Sequence, residues 1–588
     1  MIGRLKKLRS GGSRTTIAPR RRPCVPSKTL PADGPAREAI ETSRNRLLIT
    51  GAVVLFAFGC VGLRLVDLTL LQPAEEPRLN KVTQSNRIET ERVDIVDRHG
   101  AILATGLATA SLYANPRRVI DPEEAARQVA TVLPDVDVAD LTRRMKTDRE
   151  FIWLHRKLTP RQQWQLLRLG IPGLDFQREE ARMYPHGNLM SHILGFTDVD
   201  NHGLAGVEKS LDNRLRNDKE PLELTIDVRL QHIMHTALAD AMKTYSAIGA
   251  SGVILDIRNG EVLSLVSLPD FDPYRPGSAS ESQLRNRATQ DVYELGSAFK
   301  IFTTASALDA GVVEMDGGYD ATKPIRIARH VIRDYHAKRR WLSVPEIFMY
   351  SSNIGAAKMA MDVGTEAQQE YLARLGLLSP SPVELPEVGA PIKPRVWRTV
   401  TTMTVSFGHG IAVSPLQMSS AVAAVMNDGM YVKPTLIKRD AAEAAPERTR
   451  VFSRKTSHEM RRLLRLVVEQ GTGKRADAEG YLVGGKTGTA EKQFGGRYAR
   501  NKLISSFIGA FPINAPRYLV LAVLDEPNGT KATYNKATGG WVAAPVVKQV
   551  VERMGPLVGM RPVDTDSPEL RRELAINVTV EGRTLASF

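Results

Sequence analysis

Residues 47–63 read LLITGAVVLFAFGCVGL, seventeen positions without a charge. A run apolar on every side must leave water, in a core, in a bilayer, or in a signal peptide that is later cut away. What precedes it decides between these. Residues 1–46 hold 12 lysines and arginines against Asp33, Glu38 and Glu41. This leader is long for a signal peptide, and no small-x-small cleavage pattern follows the run. The run continues as RLVDLTLLQ, where Arg64 and Asp67 are spaced i,i+3 and Arg64 can snorkel toward the surface. Residues 47–71 are therefore expected to form a transmembrane anchor. The basic tail 1–46 stays in the cytoplasm and the rest of the chain is exported. The chain's +15 charge is concentrated in that tail. It argues for a membrane-proximal segment and against nucleic-acid binding.

The two cysteines, Cys24 and Cys60, lie in the tail and the apolar run, so the exported part can form no disulfide. An ordinary core must hold it, and 588 residues allow two or three domains. Residues 72–86 are polar and proline-containing, and open a region 72–221 of mixed strands and helices. TPRQQWQLLRLG carries a helix with Thr159 as N-cap, Pro160 in the first turn and Gly170 as terminator. DPEEAARQVATVL is a second, led by Asp121 and Pro122.

The texture changes at 222. A helix follows Asp227, and SGVILDI and EVLSLVSLP form a hairpin on the Asn259–Gly260 turn. A helical middle contains the capping boxes SVPE and SPLQ. Strands return in GGKTGTAEK, SSFIGAFP and RYLVLAVLDE, and a helix closes at Gly555. Two strands, a block of helices, three strands and a last helix predict one antiparallel sheet packed between helices over 222–555. Residues 556–588 read as a loosely ordered C-terminal tail.

Within that domain, YELGSAFKIF places Ser297 and Lys300 one helical turn apart at the start of an apolar run. A lysine in such a run is costly unless paired or neutral. A neutral lysine can take the proton that keeps a serine hydroxyl a poor nucleophile. The helix N-terminus adds N–H donors for a developing oxyanion. Alone, S-x-x-K is better read as an N-capping serine and a lysine on a solvated face. YSSNIG, with Ser351, Ser352 and Asn353 between two expected helices, changes the balance. So does GGKTGTA, with Lys486, Thr487, Gly488 and Thr489 at the start of a strand.

S-x-x-K, S-x-N and K-T-G in this order resemble the three active-site motifs of the serine penicillin-recognising enzymes. RMYPHGNLMSHILGFTDVDNHGLAGVEKSLD (182–212) and IVDRHGAILA (95–104) resemble the pedestal segments of class B penicillin-binding proteins, closest to the division-specific branch. GHGIAVSPLQMSSAVAAVMNDG and GTGKRADAEGYLVGGKTGTAEK extend the likeness, which runs from residue 47 to about 550. Three positions depart from the pattern. Leu295 stands where proline is usual, Val93 where glycine is usual, and FGHG (407–410) brings His409 into a glycine-rich segment.

The resemblance implies an α+β multidomain fold: a transmembrane helix, an α+β pedestal (dimerisation-like) domain, and a transpeptidase domain with a five-stranded antiparallel sheet flanked by helices. It implies a peptidoglycan D,D-transpeptidase that cross-links stem peptides of the septal wall. Ser297 would attack the bond between the last two D-alanines, Lys300 would be the base, Ser351 would relay the proton, and Asn353 would bind the substrate amide. Lys486 would supply positive charge, with Thr487, Gly488 and Thr489 lining the site, the two threonine hydroxyls on the substrate carboxylate. The N–H groups of Ser297 and Thr489 would form the oxyanion hole. β-Lactams would be covalent inhibitors, and no cofactor or metal is implied. Implied partners are lipid-linked precursor strands, a glycosyltransferase of the SEDS family and other divisome membrane proteins, with the pedestal around Arg182, Tyr184 and Pro185 as one docking surface. The alternative for those three residues is a turn that packs the pedestal on the catalytic domain. Rival readings are an elongation-specific homologue, a membrane-anchored β-lactam sensor or hydrolase, and a non-catalytic divisome scaffold. No E-x-x-L-N segment follows the SSN loop, which disfavours a hydrolase of one class.

Other features carry less. His232 and His235 are spaced for a metal but lack a third ligand, and His330 and His336 form no zinc pattern. GTGKR (471–475) lacks the first glycine and the final serine or threonine of a phosphate loop. The clusters KRR (338–340) and RRLLR (461–465) are expected on solvated faces.

Overall fold

The computed structural model describes residues 48–62, 92–327, 330–439, 446–494, 497–565, 567–580 and 583–586. The chain divides into two units, Met1–Arg87 and Ile88–Phe588. In the first, residues 48–62 are helical and exposed throughout, Leu55, Phe56 and Phe58 included. Among the described residues no helix is long and apolar enough to cross a membrane. The basic tail, residues 63–71 of the expected anchor, and the linker 72–86 lie outside the described residues.

The second unit begins with a sheet built on the 13-residue strand Ile102–Ala114. Leu174–Met183 pairs with it antiparallel along one edge and Ile152–Leu158 along the other. The helices Pro122–Val132, Val138–Met145 and Pro160–Leu167 start at the expected punctuation. Asp121, Asp137 and Thr159 cap them, and Thr159 and Gln162 form a reciprocal capping box. Val129, Leu141 and Leu166 on these helices close a small core with Leu112 and Leu154 of the strands.

A second, polar centre sits elsewhere in this sheet region. Glu208 accepts from Arg92 Nε at 2.5 Å and from Arg182 Nε at 2.7 Å, all three side chains being almost fully buried. Arg182 also donates to the Val93 carbonyl at 2.9 Å. Tyr184 is buried, and its backbone N–H donates to the Tyr274 hydroxyl oxygen at 2.7 Å. Arg182 and Tyr184 thus serve the packing alternative: they tie the pedestal together and onto the catalytic domain. Ile95, Leu103, Tyr184 and Val207 join the same apolar cluster as the catalytic core, and Leu222–Glu223 pairs in parallel with Ile95–Val96.

The catalytic sheet has five antiparallel strands in the order Gly484–Phe494, Arg497–Phe511, Tyr518–Asp525, Gly249–Asp256, Val262–Leu268. The Tyr518–Asp525 strand explains why this sheet is sandwiched. Its residues are all buried, with Leu519, Leu521 and Val523 in one apolar cluster and Val520, Ala522 and Leu524 in another. Alternating side chains that are apolar on both sides need a helical layer on each face. Val228–Thr244 and Ala544–Leu557 cover one face. Lys300–Asp309, Pro415–Met426 and Arg454–Glu469 build the other core. The expected capping boxes Ser343–Glu346 and Ser414–Gln417 both form.

Two expectations differ. The segment expected as a loose tail from 556 contains the helix Pro568–Leu574 and a hairpin, Asn577–Val580 with Arg583–Ala586. Leu574 and Ile576 are drawn into the core because they are apolar and face the Arg454–Glu469 helix. On that helix Arg465, expected on a solvated face, is buried. It donates to the Val483 carbonyl at 2.9 Å and pairs with Asp477 and Glu469.

Candidate active site

Ser297 lies in a tight turn, Gly296–Phe299, that runs directly into the helix Lys300–Asp309. Its hydroxyl does not cap that helix. It lies 3.1 Å from Lys300 Nζ. The turn needs a glycine at 296, where φ is +53° and a β-carbon would stand 2.5 Å from the Thr489 carbonyl oxygen. Leu295, where the resemblance leads one to expect proline, is buried in the main core and packs the turn from behind.

Lys300 is only 1% exposed. Its Nζ meets four oxygens: the Ser351 carbonyl at 2.5 Å, Asn353 Oδ1 at 2.7 Å, Ser351 Oγ at 3.0 Å and Ser297 Oγ at 3.1 Å. A neutral amine fits this set: two N–H bonds go to the two nearest acceptors, and the lone pair is left for a hydroxyl proton. Burial, and then the nearby Lys486 charge, hold the Lys300 pKa well below its ordinary value, against an opposing pull from Asp334.

Ser351 sits in the three-residue link between the helices Val344–Met349 and Asn353–Val363, at φ +59°. That conformation costs a non-glycine residue about 1–3 kcal/mol and is held by its surroundings. It places Ser351 Oγ between two amines, 3.0 Å from Lys300 Nζ and 3.1 Å from Lys486 Nζ. Lys486 is fully buried on the sheet-edge strand Gly484–Phe494, and burial lowers its pKa to about 7. The five residues expected to carry the chemistry, Ser297, Lys300, Ser351, Asn353 and Lys486, are thus linked by one hydrogen-bond network.

Thr487, Gly488 and Thr489 follow on the same strand. Thr487 Oγ1 is 2.7 Å from Thr472 Oγ1, and Thr489 Oγ1 accepts from the Gly539 N–H at 3.0 Å. The Thr489 hydroxyl therefore keeps its own proton free to donate. A β-carbon at 488 would stand 2.4 Å from Ser506 Oγ and 2.5 Å from the Leu295 carbonyl, so the strand and the serine turn are in backbone contact there.

One organising residue was not foreseen. Asp334 accepts from Ser352 Oγ at 2.8 Å and from the backbone N–H groups of Asn353 at 2.6 Å and Ile354 at 3.0 Å. It anchors the start of the Asn353–Val363 helix while Ser352 caps it through Gly355. In the sequence Asp334 is a lone acid in VIRDYHAKRR, and no local pattern marks it.

The remaining candidates lie apart from this network. His235 bonds Asp270 at 2.8 Å, and among the described residues no group of three ligands could hold a metal. In the KRR cluster Arg340 pairs with Glu346, and Lys338 lies over the Tyr350 ring.

The profile of the penicillin binding protein transpeptidase domain matches residues 250–552, and that of the penicillin-binding protein dimerisation domain matches residues 87–236. The chain is 40% identical over 487 residues to the probable peptidoglycan D,D-transpeptidase FtsI of Caulobacter vibrioides, covering 81% of this chain and 82% of that protein. It is 30% identical over 539 residues to the peptidoglycan D,D-transpeptidase FtsI of Escherichia coli K12, covering 85% and 89%. The crystal structure of penicillin binding protein 3 from Mycobacterium tuberculosis, complexed with aztreonam, superposes with a TM-score of 0.64 at 25% identity. That match covers 80% of this chain and 97% of the other.

Proposed function

The chain belongs to the class B penicillin-binding proteins, and from that membership we propose how its residues divide the work of a peptidoglycan D,D-transpeptidase in cell division. The observation that carries the assignment is the contact of Ser297 Oγ with a buried Lys300 whose other neighbours are already satisfied as acceptors.

In the first half-reaction Ser297 Oγ gives its proton to Lys300 Nζ and bonds to the carbonyl carbon between the terminal D-alanines of a stem peptide. The N–H groups of Ser297 and Thr489 receive the oxyanion. The proton passes from Lys300 through Ser351 to the departing D-alanine nitrogen as the C–N bond breaks. Lys486, itself bonded to Ser351 Oγ, favours that relay and supplies charge beside the substrate carboxylate, which the Thr487 and Thr489 hydroxyls hold. Asn353 Nδ2 already donates to the Arg333 carbonyl, and its Oδ1, accepting from Lys300 Nζ, orients the amide beside the substrate backbone. In the second half-reaction an amine of a neighbouring stem peptide replaces Ser297 on the acyl carbon, and the serine recovers a proton. A β-lactam enters the same first step and stays as the acyl-enzyme.

The apolar run 47–63 behind its basic leader supports a single-pass anchor with the catalytic domain outside the cytoplasm, facing lipid-linked precursors. Divisome partners, a SEDS glycosyltransferase among them, would then meet exposed pedestal surface, since Arg182 and Tyr184 are buried.

Incubation with a penicillin, followed by intact-mass analysis and peptide mapping, tests the assignment. A single adduct is expected on the peptide holding Ser297, and none on Ser297→Ala. An adduct elsewhere, or none, overturns it.

A further inference from the structure

The acylation machinery leaves one charged group beside the nucleophile unexplained. Glu294 stands three residues before Ser297, half-buried, where three chain segments meet. Its carboxylate accepts from the Gly410 N–H at 2.9 Å, from Tyr498 Oη at 3.1 Å and from Gln493 Nε2 at 3.2 Å. These partners come from the 406–410 loop and from the hairpin that joins Gly484–Phe494 to Arg497–Phe511. The loop rests on the serine turn: a β-carbon at Gly408 would stand 2.3 Å from the Gly296 carbonyl oxygen. His409 follows, its ring 5.4 Å from Tyr498 and 5.3 Å from Phe407, and it lies within electrostatic reach of Lys300. The unusual histidine of the FGHG segment therefore packs on Tyr498, in the loop that rests on the serine turn.

All three of these partners of Glu294 are neutral. They hold the carboxylate in place without cancelling its charge, and burial raises its pKa, so a cation arriving beside it would be favoured. The reaction has such a cation. The second substrate is an amine, protonated in neutral water, and it must reach the acyl carbon on Ser297.

We infer that Glu294, held by Gly410, Gln493 and Tyr498 and walled by His409, is the receiving site for the ammonium group of the acceptor stem peptide. The aromatic rings of His409 and Tyr498 offer an apolar wall for the aliphatic stem that carries the amine, and the Tyr498 face adds a cation–π contact. From this position the amine gives one proton to solvent and bonds to the acyl carbon. The bond from that carbon to Ser297 Oγ breaks, and the amine's second proton passes through Lys300 to the leaving Oγ. Glu294 and Tyr498 act only after acylation, so they separate the two half-reactions. This inference rests on the transpeptidase reading above.

The test uses the full-length chain, a thioester of an N-acylated D-alanine as donor, and Nα-acetyl-lysine amide as acceptor, which carries one ammonium and no carboxylate. The readout is the ratio of amide product to hydrolysed acid, alongside the rate of acylation by a penicillin. Losing a charged hydrogen bond, Glu294→Gln is expected to lower the ratio about tenfold, and Tyr498→Phe about threefold, with penicillin acylation within about twofold of wild type. Should Glu294→Gln fail to fold, Tyr498→Phe, which keeps the ring, decides alone. A ratio unchanged in the folded variants overturns the inference. So does a ratio that falls only in parallel with acylation, because Glu294 would then be shaping the nucleophile turn. If wild type forms no acyl-enzyme with the penicillin, the transpeptidase reading itself fails, and this inference with it.

Discussion

Gly296 and Thr489 touch through their backbones: a β-carbon on the first would stand 2.5 Å from the carbonyl oxygen of the second. The turn that carries the nucleophile is thereby pressed onto the strand that carries Lys486. Nearly 200 residues of chain separate them, so this contact, not local geometry, sets the distance between attacking oxygen and oxyanion donors.

Gly296→Ala should therefore impair chemistry more than folding. The residue sits at φ +53°, where alanine pays about 1–2 kcal/mol of conformational strain, and its methyl group must push the strand away. Acylation by a penicillin, followed by stopped-flow, is expected to slow at least about tenfold, because oxyanion donors lose value steeply when displaced. Wild-type acylation rates in the variant would mean that the contact is slack.

Lys300→Arg keeps a cation and removes a base. A guanidinium stays protonated at any working pH, so it cannot accept the Ser297 proton. Acylation is expected to fall about 10²–10⁴-fold, with Lys300→Arg no more active than Lys300→Ala. Recovery by arginine would assign Lys300 an electrostatic role instead.

The rate profile should follow the same group. Acylation needs neutral Lys300, whose pKa is held well below 10.5. The second-order rate with a penicillin is expected to rise with pH and level off well short of the range where an ordinary lysine titrates, near about 10.4. A rate that climbs through that range would contradict a neutral base at physiological pH.

Lys486 should make stability rise with pH. Its pKa is about 7 in the folded chain against an ordinary 10.5. Between those values the unfolded chain binds more protons than the folded one, so unfolding becomes less favourable as pH increases, and the folded state is penalised as pH falls toward 7. Denaturant midpoints of wild type and Lys486→Met at a series of pH values across that window isolate the effect. The variant is expected to show a flatter rise, and equal slopes would show that Lys486 is solvated in the folded chain.

Glu208→Gln tests the pedestal. It leaves the buried Arg182 without a carboxylate and Arg92 with Asp212 alone, which costs about 3–5 kcal/mol. A clear drop in the thermal midpoint is expected while the folded fraction still acylates with penicillin. An unchanged midpoint would mean that the ion triad is not a stabilising element.

The parts of the site that were legible were those where chemistry and local structure share a few residues. Ser297 and Lys300 lie within one turn, and the apolar run after them already implied that the amine is buried. The capping residues Asp121, Thr159, Ser343 and Ser414 announced their helices for the same reason: each bonds a backbone N–H two or three residues away. Asp334 gave no such signal, since its partners lie 18 to 20 residues on and belong to a helix start it helps to hold. Glu294 was visible beside the motif, but its partners at 410, 493 and 498 come from two other segments. Arg465 looked solvated because its own helix is rich in charge. It is buried because Val483, Asp477 and the C-terminal segment close over it.

What the sequence alone determined, then, is the inventory: an apolar run behind a basic leader, the elements with their caps, and three short motifs with a defined chemistry. Those follow from interactions that reach one helical turn or one strand period. The tertiary structure decided which side chains are dry, and therefore the protonation of Lys300 and Lys486, the pairing of Arg182 with Glu208, and the company of Glu294. Desolvation depends on everything packed around a group, and most of what surrounds these groups is distant in the chain.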